Sequence, residues 1–431
     1  MRRPQAALSP SKEETRQHEG CVNAVNGTEW RQVPVGLDAA RWITRIGCKT
    51  VLVVVHTVTM GQRLECMLPL FETDHRVQVV FTAAPHAFGN GVARLLSRLD
   101  GIVIPWEQAT RTTFDLALAA GYSAVHELHA PLVVVPHGAG RNKLVARRGA
   151  SGAVAARGAW GLDRQNLVQD GRVIPDAIVL AHQADLTVLG HQCPEAVPAA
   201  EVIGDPCYDQ LLVSTPLRAA YRRAMGVADG TRLVVTASTW GPHSLFGQLT
   251  DLHDRMLAEL PGDKYRVSAL LHPNVWYGHG PRQIRAWKGS AMRRGMGLVP
   301  PDSEWLGALL AADVVVGDAG SSTVYAAAAG VPVVLGRFPD EGVAPGSPAA
   351  LLAEAAPRLR LDRPITRQLA DAMTRHRPDL SRSVAERITS EPGQFNRKMR
   401  RLIYRKLGLT QPPSIPATRP AGMPRPIRHG D

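Results

Sequence analysis

The chain has 431 residues, 45% of them hydrophobic and 20% charged, with a formal charge of +12 from 50 Lys and Arg against 38 Asp and Glu. That length exceeds one ordinary domain and suits two with a tail, and the basic balance favours anionic partners without choosing among them. The five cysteines are scattered without a CxxC pair, which argues against a disulfide framework or a zinc site, and no apolar window reaches the roughly 18–20 residues of a membrane span.

Residues 1–40 are polar and mixed, and are expected to be disordered. Their opening stretch, MRRPQAALSPSKEETRQHEG, lacks the apolar core of a signal peptide, which with the unpaired cysteines points to the cytoplasm. The β-branched run Val51 to Val55 predicts a buried strand that ends at the polar pair His56-Thr57. Further strands are expected over Arg76 to Ala83 and Asp100 to Trp106, with a helix between them that carries Leu95, Leu96 and Leu99 on one face. Asp115 to Tyr122 gives way to APLVVVPHGAG, a strand that ends at His137, and the alternation continues through AIVLAHQADLTVLG and AEVIGDPCYDQLL. This is the pattern of a doubly wound α/β domain.

A second series follows the helical stretch LRAAYRRAMGV. Its strands are TRLVVTASTWG, ending at Thr239-Trp240-Gly241, YRVSALLHPNVW, ending at His272-Pro273-Asn274, the short GMGLVPPD, and Val314 to Val316. After these valines come Asp318, Gly320, Ser321, Ser322 and Thr323, an alanine-rich helix from Tyr325 to Ala329, Gly330 as its stop, and a last strand, Val333 to Leu335. A small-residue turn at a helix start can hold a phosphate on free backbone N–H groups, or a serine there can simply cap the helix; from this segment both readings stay open. QFNRKMRRLIYRKLGL predicts a basic helix with Phe395, Met399, Leu402 and Ile403 on one side, and a proline-rich tail follows.

Polar groups therefore recur at the carboxyl ends of strands in both halves, where open parallel sheets bind ligands. Such a distribution predicts one cleft between two domains. A G-x-G-x-x-G turn after the first strand, a Walker A loop and a G-x-S-x-G elbow are all absent, which disfavours dinucleotide and P-loop chemistry. No basic segment is interleaved with aromatics, so nucleic acid is not an expected partner.

PHGAGRNK (Pro136 to Lys143), GDPCYDQLL (Gly204 to Leu212), VVTASTWG (Val234 to Gly241), LLHPN (Leu270 to Asn274) and VVGDAGSSTVYAAAAGVPVV (Val315 to Val334) stand in the order of the motifs of CDP-glycerol glycerophosphotransferases. The chain resembles that family over about residues 130–340. The family builds teichoic-acid-type polymers on the two-domain GT-B glycosyltransferase fold. The resemblance implies two Rossmann-like doubly wound domains facing across a cleft: 41–200 on the acceptor side and 201–380 on the nucleotide-donor side. A C-terminal basic helix (381–408) and a disordered tail (409–431) would follow. It implies transfer of a glycerophosphate-like or glycosyl group from a nucleotide-diphosphate donor to a hydroxyl acceptor in cell-envelope polymer synthesis. No cofactor or metal is expected.

His137 and His272 are the expected catalytic residues: His137 as general base, since an ordinary imidazole titrates near 6.5, and His272 as a donor to phosphate. Gly138, Arg141, Lys143, Thr239, Trp240, Asn274, Asp318, Gly320, Ser321, Ser322 and Thr323 are expected around the substrate, with Asp318 orienting the loop. The acceptor can be lipid-linked, with Arg397 to Lys406 docking the enzyme at the inner face of the membrane. Tyr325 departs from the family, which carries an acid there, and ASTWG lacks the charged residue that usually follows the tryptophan. The glycine-serine turn is also similar to that of UDP-N-acetylglucosamine 2-epimerases, where Val324-Tyr325 replace a glutamate pair. These departures leave two alternatives: a UDP-sugar GT-B enzyme, glycosyltransferase or epimerase-like, and a non-catalytic nucleotide- or polyanion-binding protein.

Overall fold

The structure, a computed structural model, describes residues 29–36, 39–148, 154–339 and 342–430. Residues 1–28, most of the N-terminal segment expected to be disordered, lie outside it. Within that segment, Val35 is buried, and Arg31 exchanges two backbone hydrogen bonds with the Gln108 side chain, each 2.9 Å.

Strands β1 (Lys49–Val55), β2 (Val77–Ala83), β3 (Val103–Ile104), β4 (Leu116–Ala119) and β5 (Leu132–Val134) are followed by two antiparallel hairpins. The hairpins are β6 (Leu144–Arg148) with β7 (Val154–Ala159), and β8 (Val168–Gln169) with β9 (Arg172–Val173). β10 (Ala177–Leu180) and β11 (Ala200–Val202) complete a seven-stranded parallel sheet of order β11-β10-β5-β4-β1-β2-β3. A separate five-stranded parallel sheet, of order β14-β13-β12-β15-β16, contains β12 (Arg232–Ser238), β13 (Tyr265–Leu271), β14 (Gly297–Val299), β15 (Val314–Gly317) and β16 (Val333–Leu335). Helices cover both faces, so Val51 to Val55 and Val314 to Val316 lose almost all contact with water.

In each sheet the order reverses beside one central strand. β1 pairs with β2 on one side and β4 on the other, and β12 likewise with β13 and β15. Crevices at the carboxyl ends of such reversals are where this architecture binds ligands.

The C-terminal region differs from the sequence expectation in two ways. Helix Pro378–Ile388 buries Val384 and Ile388 against the second sheet, and only helix Phe395–Leu407 returns to the first, burying Phe395, Met399, Leu402, Ile403 and Leu407 there. One 381–408 helical unit is therefore two helices serving two cores. The chain crosses between them under Asp209, whose carboxylate accepts the N–H groups of Gly393 (2.6 Å) and Phe395 (3.0 Å).

The tail 409–430, expected to be disordered, is a strap along the second domain. Ile427 exchanges two backbone hydrogen bonds with Leu298 at the edge strand β14 (2.9 and 2.8 Å), and Ala421 is held by Ser214 and Tyr221. An exposed sheet edge offers free backbone groups, and here a proline-rich segment satisfies part of that edge.

Candidate active site at the interdomain seam

The Ser321 turn forms because Asp318 organises it. Asp318 is buried at the end of β15, and its carboxylate accepts the backbone N–H groups of Thr239 (3.0 Å), Leu245 (2.9 Å) and Gly320 (3.0 Å), with the Ser238 hydroxyl at 3.3 Å. Burial raises its pKa, and the backbone donors pull the other way. It ties the β12 and β15 strand ends together, with its own carboxylate spent on backbone N–H groups. Gly320 is the N-cap of helix Ser321–Ala328, with no side-chain cap bond, so the helix starts at Ser321 and neither serine caps it. Both serines are half-exposed at the first turn, where free N–H groups and the helix dipole favour an anion. Thr323 turns the other way. It is fully buried against Gly317, so it is not part of the cleft as expected.

Across the seam, the end of β5 meets this turn directly. The Ala139 N–H donates to the Ser321 hydroxyl oxygen at 3.1 Å. A side chain at position 138 would place its Cβ 2.8 Å from that same oxygen, so glycine is what permits the approach.

His137 and His272 lie on the two sides of this contact, close enough that a charge on His137 depresses the pKa of His272. His137 Nδ1 sits 3.0 Å from the Ala120 carbonyl oxygen. A carbonyl only accepts, so Nδ1 carries the proton and Nε2 is left with a lone pair. His272 is held the opposite way. As N-cap of helix Pro273–His279, its Nδ1 accepts the Asn274 N–H at 3.0 Å, so the neutral ring carries its proton on Nε2, 3.5 Å from Thr59 Oγ1. Burial pushes the His137 imidazole down to about 4 and that of His272 down to about 3, so both are neutral at pH 7.

The remaining expected residues separate into those at the seam and those behind it. Lys143 places its ammonium 4.6 Å from the Trp240 ring centre, and Phe88 from the other domain packs on Trp240 with centroids 4.7 Å apart. Burial lowers the Lys143 pKa, with Asp318 opposing. Thr239 lies against Gly320, and Asn274 serves His272 through its backbone. Arg141 is not at the serine turn. It donates to the Trp160 carbonyl at 3.2 Å, behind His137, and adds positive potential there.

Sequence reasoning missed Trp160, whose ring meets His137 edge-on at 4.8 Å, together with Phe88 and Thr59. Thr59, two residues past the noted His56-Thr57 pair, was the only one with a local signal.

It also missed an interior clasp. Arg63 donates to Asp205 (3.2 Å) and to the Tyr325 hydroxyl (3.0 Å), which itself lies 2.9 Å from both Asp205 oxygens. All three residues are buried. Thr59 and Arg63, and likewise Ser321 and Tyr325, are one helical turn apart. Each helix thus offers a first-turn residue to the seam and the next turn to the clasp.

The basic helix Phe395–Leu407 uses its apolar side for the first core, while Lys398 pairs with Glu391 (2.7 Å), Arg405 with Glu201, and Lys406 with the Asp176 carbonyl (2.9 Å). Arg397 and Arg401 remain exposed. The helix therefore has no apolar face to set into a bilayer. No helix among the described residues is long and apolar enough to cross a membrane.

No family model and no curated protein sequence matches the chain. Solved structures do. The wall teichoic acid polymerase TagF matches with a TM-score of 0.54 at 11% identity over 84% of this chain and 89% of that one. A TagF variant soaked with CDPG matches with the same score and identity over 93% and 99%. Anabaena Alr3699/HepE, solved with UDP-glucose, is more distant, with a TM-score of 0.44 at 14% identity over 83% and 98%. The fold is that of the GT-B transferases: two Rossmann-like domains, each a parallel sheet between helices.

Proposed function

We propose that this chain transfers a polyol-phosphate or glycosyl group from a nucleotide-diphosphate donor to a hydroxyl acceptor, and that the polyol-phosphate donor is the physiological one. The observation that carries the reading is the meeting, across one seam, of an imidazole held as an acceptor, an imidazole held as a donor, and an uncapped helix N-terminus. The donor diphosphate rests on the Ser321 helix start, and His272 Nε2–H donates to it. The acceptor hydroxyl gives its proton to His137 Nε2. That imidazole is a weak base in the empty site, and the negative charge of a bound diphosphate raises its pKa toward working pH. The motif order favours attack at the distal phosphorus, which breaks the P–O–P bridge and releases a nucleoside monophosphate. Attack at a sugar C1 would instead break a C–O bond and release the diphosphate.

The Ala139–Ser321 contact closes the seam, so donor entry requires the domains to separate by enough to break it. The test is a panel of CDP-polyols and UDP-sugars with hydroxyl acceptors, read by the nucleotide released. Nucleoside monophosphate is the expected product. Nucleoside diphosphate would replace the proposed reaction with glycosyl transfer, and tight binding without release would make the protein a binder.

A further inference from the structure

We propose that the loop Arg41 to Ile46 docks the first domain on an anionic phospholipid surface. Three large apolar side chains stand out into solvent here: Trp42 is 48% exposed, Ile43 39% and Ile46 96%. Arg41 and Arg45 are interleaved with them and also exposed, and residues 39–49 contain no carboxylate.

The loop is held rather than trailing. Its upstream end is fixed by buried Val35 and by Gly36, whose carbonyl accepts the Ala39 N–H at 3.2 Å. A single turn follows, with the Trp42 and Ile43 N–H groups bonded to the Ala39 carbonyl (2.8 and 3.0 Å). Downstream, Cys48 reaches the His75 carbonyl at 3.4 Å, and Lys49 enters β1. A tether fixed at both ends that still presents Trp, Ile and Ile to water has a surface to meet.

Charge selects the kind of surface. Two acids at this end of the sheet are already engaged, Asp115 by Lys49 (2.8 Å) and Asp74 by Arg76 (2.7 Å) and the Tyr404 hydroxyl (2.8 Å). Among the described residues no acid pairs with Arg41 or Arg45, which leaves these arginines to an external anion. A tryptophan with aliphatic neighbours and flanking arginines suits the headgroup boundary, where the rings and alkyl groups enter and the guanidinium groups stay with phosphate. The loop lies at the amino end of β1 and the site at its carboxyl end, roughly 23 Å away at strand rise. Docking here leaves the seam open and does not depend on the function proposed above.

The test is co-sedimentation of the full chain with phosphatidylglycerol–phosphatidylcholine vesicles and with phosphatidylcholine alone. The wild type is expected to pellet with the anionic vesicles and to stay in the supernatant with the neutral ones. Trp42→Ser with Ile46→Ser, and separately Arg41→Gln with Arg45→Gln, should each weaken the partition by about tenfold or more, with melting temperature and nucleotide binding unchanged. Failure of the wild type to pellet, equal pelleting on both lipids, or wild-type pelleting by both double variants would overturn the proposal. So would a dimer, seen by analytical ultracentrifugation without lipid, that the apolar double variant dissociates, because the loop would then be covered by a second copy.

Discussion

His137 and His272 occupy equivalent places in two different domains, each just past a buried strand that opens on the seam. Their rings are nonetheless set to opposite tasks. His137 donates a hydrogen bond from Nδ1–H to a carbonyl, and His272 accepts one at Nδ1 from an amide N–H. The strand end decides where an imidazole sits, and a single backbone contact decides whether its outer nitrogen accepts or donates. Burial then keeps both neutral, so the difference persists at physiological pH.

The largest expected effect breaks that asymmetry on its acceptor side. Glutamine can donate at the outer position but cannot take a proton, so His137→Gln should lower turnover by about 10²–10⁴-fold. His272→Gln keeps a donor there and should cost markedly less, with the loss divided between turnover and donor affinity. Steady-state kinetics of the two variants, side by side, checks this; equal losses would mean that the two rings share one role.

The asymmetry also needs the domains held together. Arg63→Met strips Asp205 of its buried counter-charge and should destabilise by about 3–5 kcal/mol. Tyr325→Phe removes one hydroxyl from the same clasp, leaves the ion pair, and should cost about 1–3 kcal/mol. Urea denaturation gives both numbers, and a larger cost for Tyr325→Phe would invert the account of the clasp.

Protonation should abolish the difference between the rings altogether. Burial pushes His137 and His56 down to about 4, and His272 and His253 down to about 3, all below the roughly 6.5 of an unfolded chain. As pH falls, the unfolded chain takes up protons first. This contribution to stability is therefore complete above pH 6.5 and is lost as pH drops from there toward 4 and 3. Urea midpoints should decline across that window, more shallowly in His137→Gln than in wild type. The acid limb of kcat/KM should lie well below 6.5.

The smallest effect on stability is expected at the serines. Because Gly320 caps the helix, Ser321→Ala with Ser322→Ala should cost only about 1 kcal/mol of stability, that of the Ala139–Ser321 hydrogen bond. CDP or UDP affinity should fall in calorimetric titration. A large loss of stability with unaltered affinity would return the turn to a structural role.

The parts of this arrangement that were legible in the sequence share a physical cause. Runs such as Val51 to Val55, Leu132 to Val135 and Val314 to Val316 are apolar on both faces, so their first polar successors mark carboxyl ends, and His137, His272 and the Ser321 turn follow from that. What escaped depends on docking between distant segments. Nothing local tells that Thr323 turns inward while Ser322 does not, or that Arg141 reaches back to Trp160. The Arg63–Asp205–Tyr325 clasp joins residues 142 and 262 positions apart. Tyr325, a departure from the resembled family in sequence terms, is in the structure a partner to Asp205, beside which a second carboxylate would be repelled. The tail misled through its composition: prolines that look unstructured in isolation suit a strap beside a sheet edge.

The central claim is that two neutral imidazoles, in opposite tautomers, turn their outer nitrogens to one ligand. Long-range ¹H–¹⁵N correlation of the histidine side chains at pH 7, with and without CDP, tests it most directly. The account predicts a protonated Nδ1 on His137 and a protonated Nε2 on His272, with both Nε2 resonances moving when nucleotide binds. The same tautomer on both rings, or Nε2 resonances that ignore the nucleotide, would contradict it.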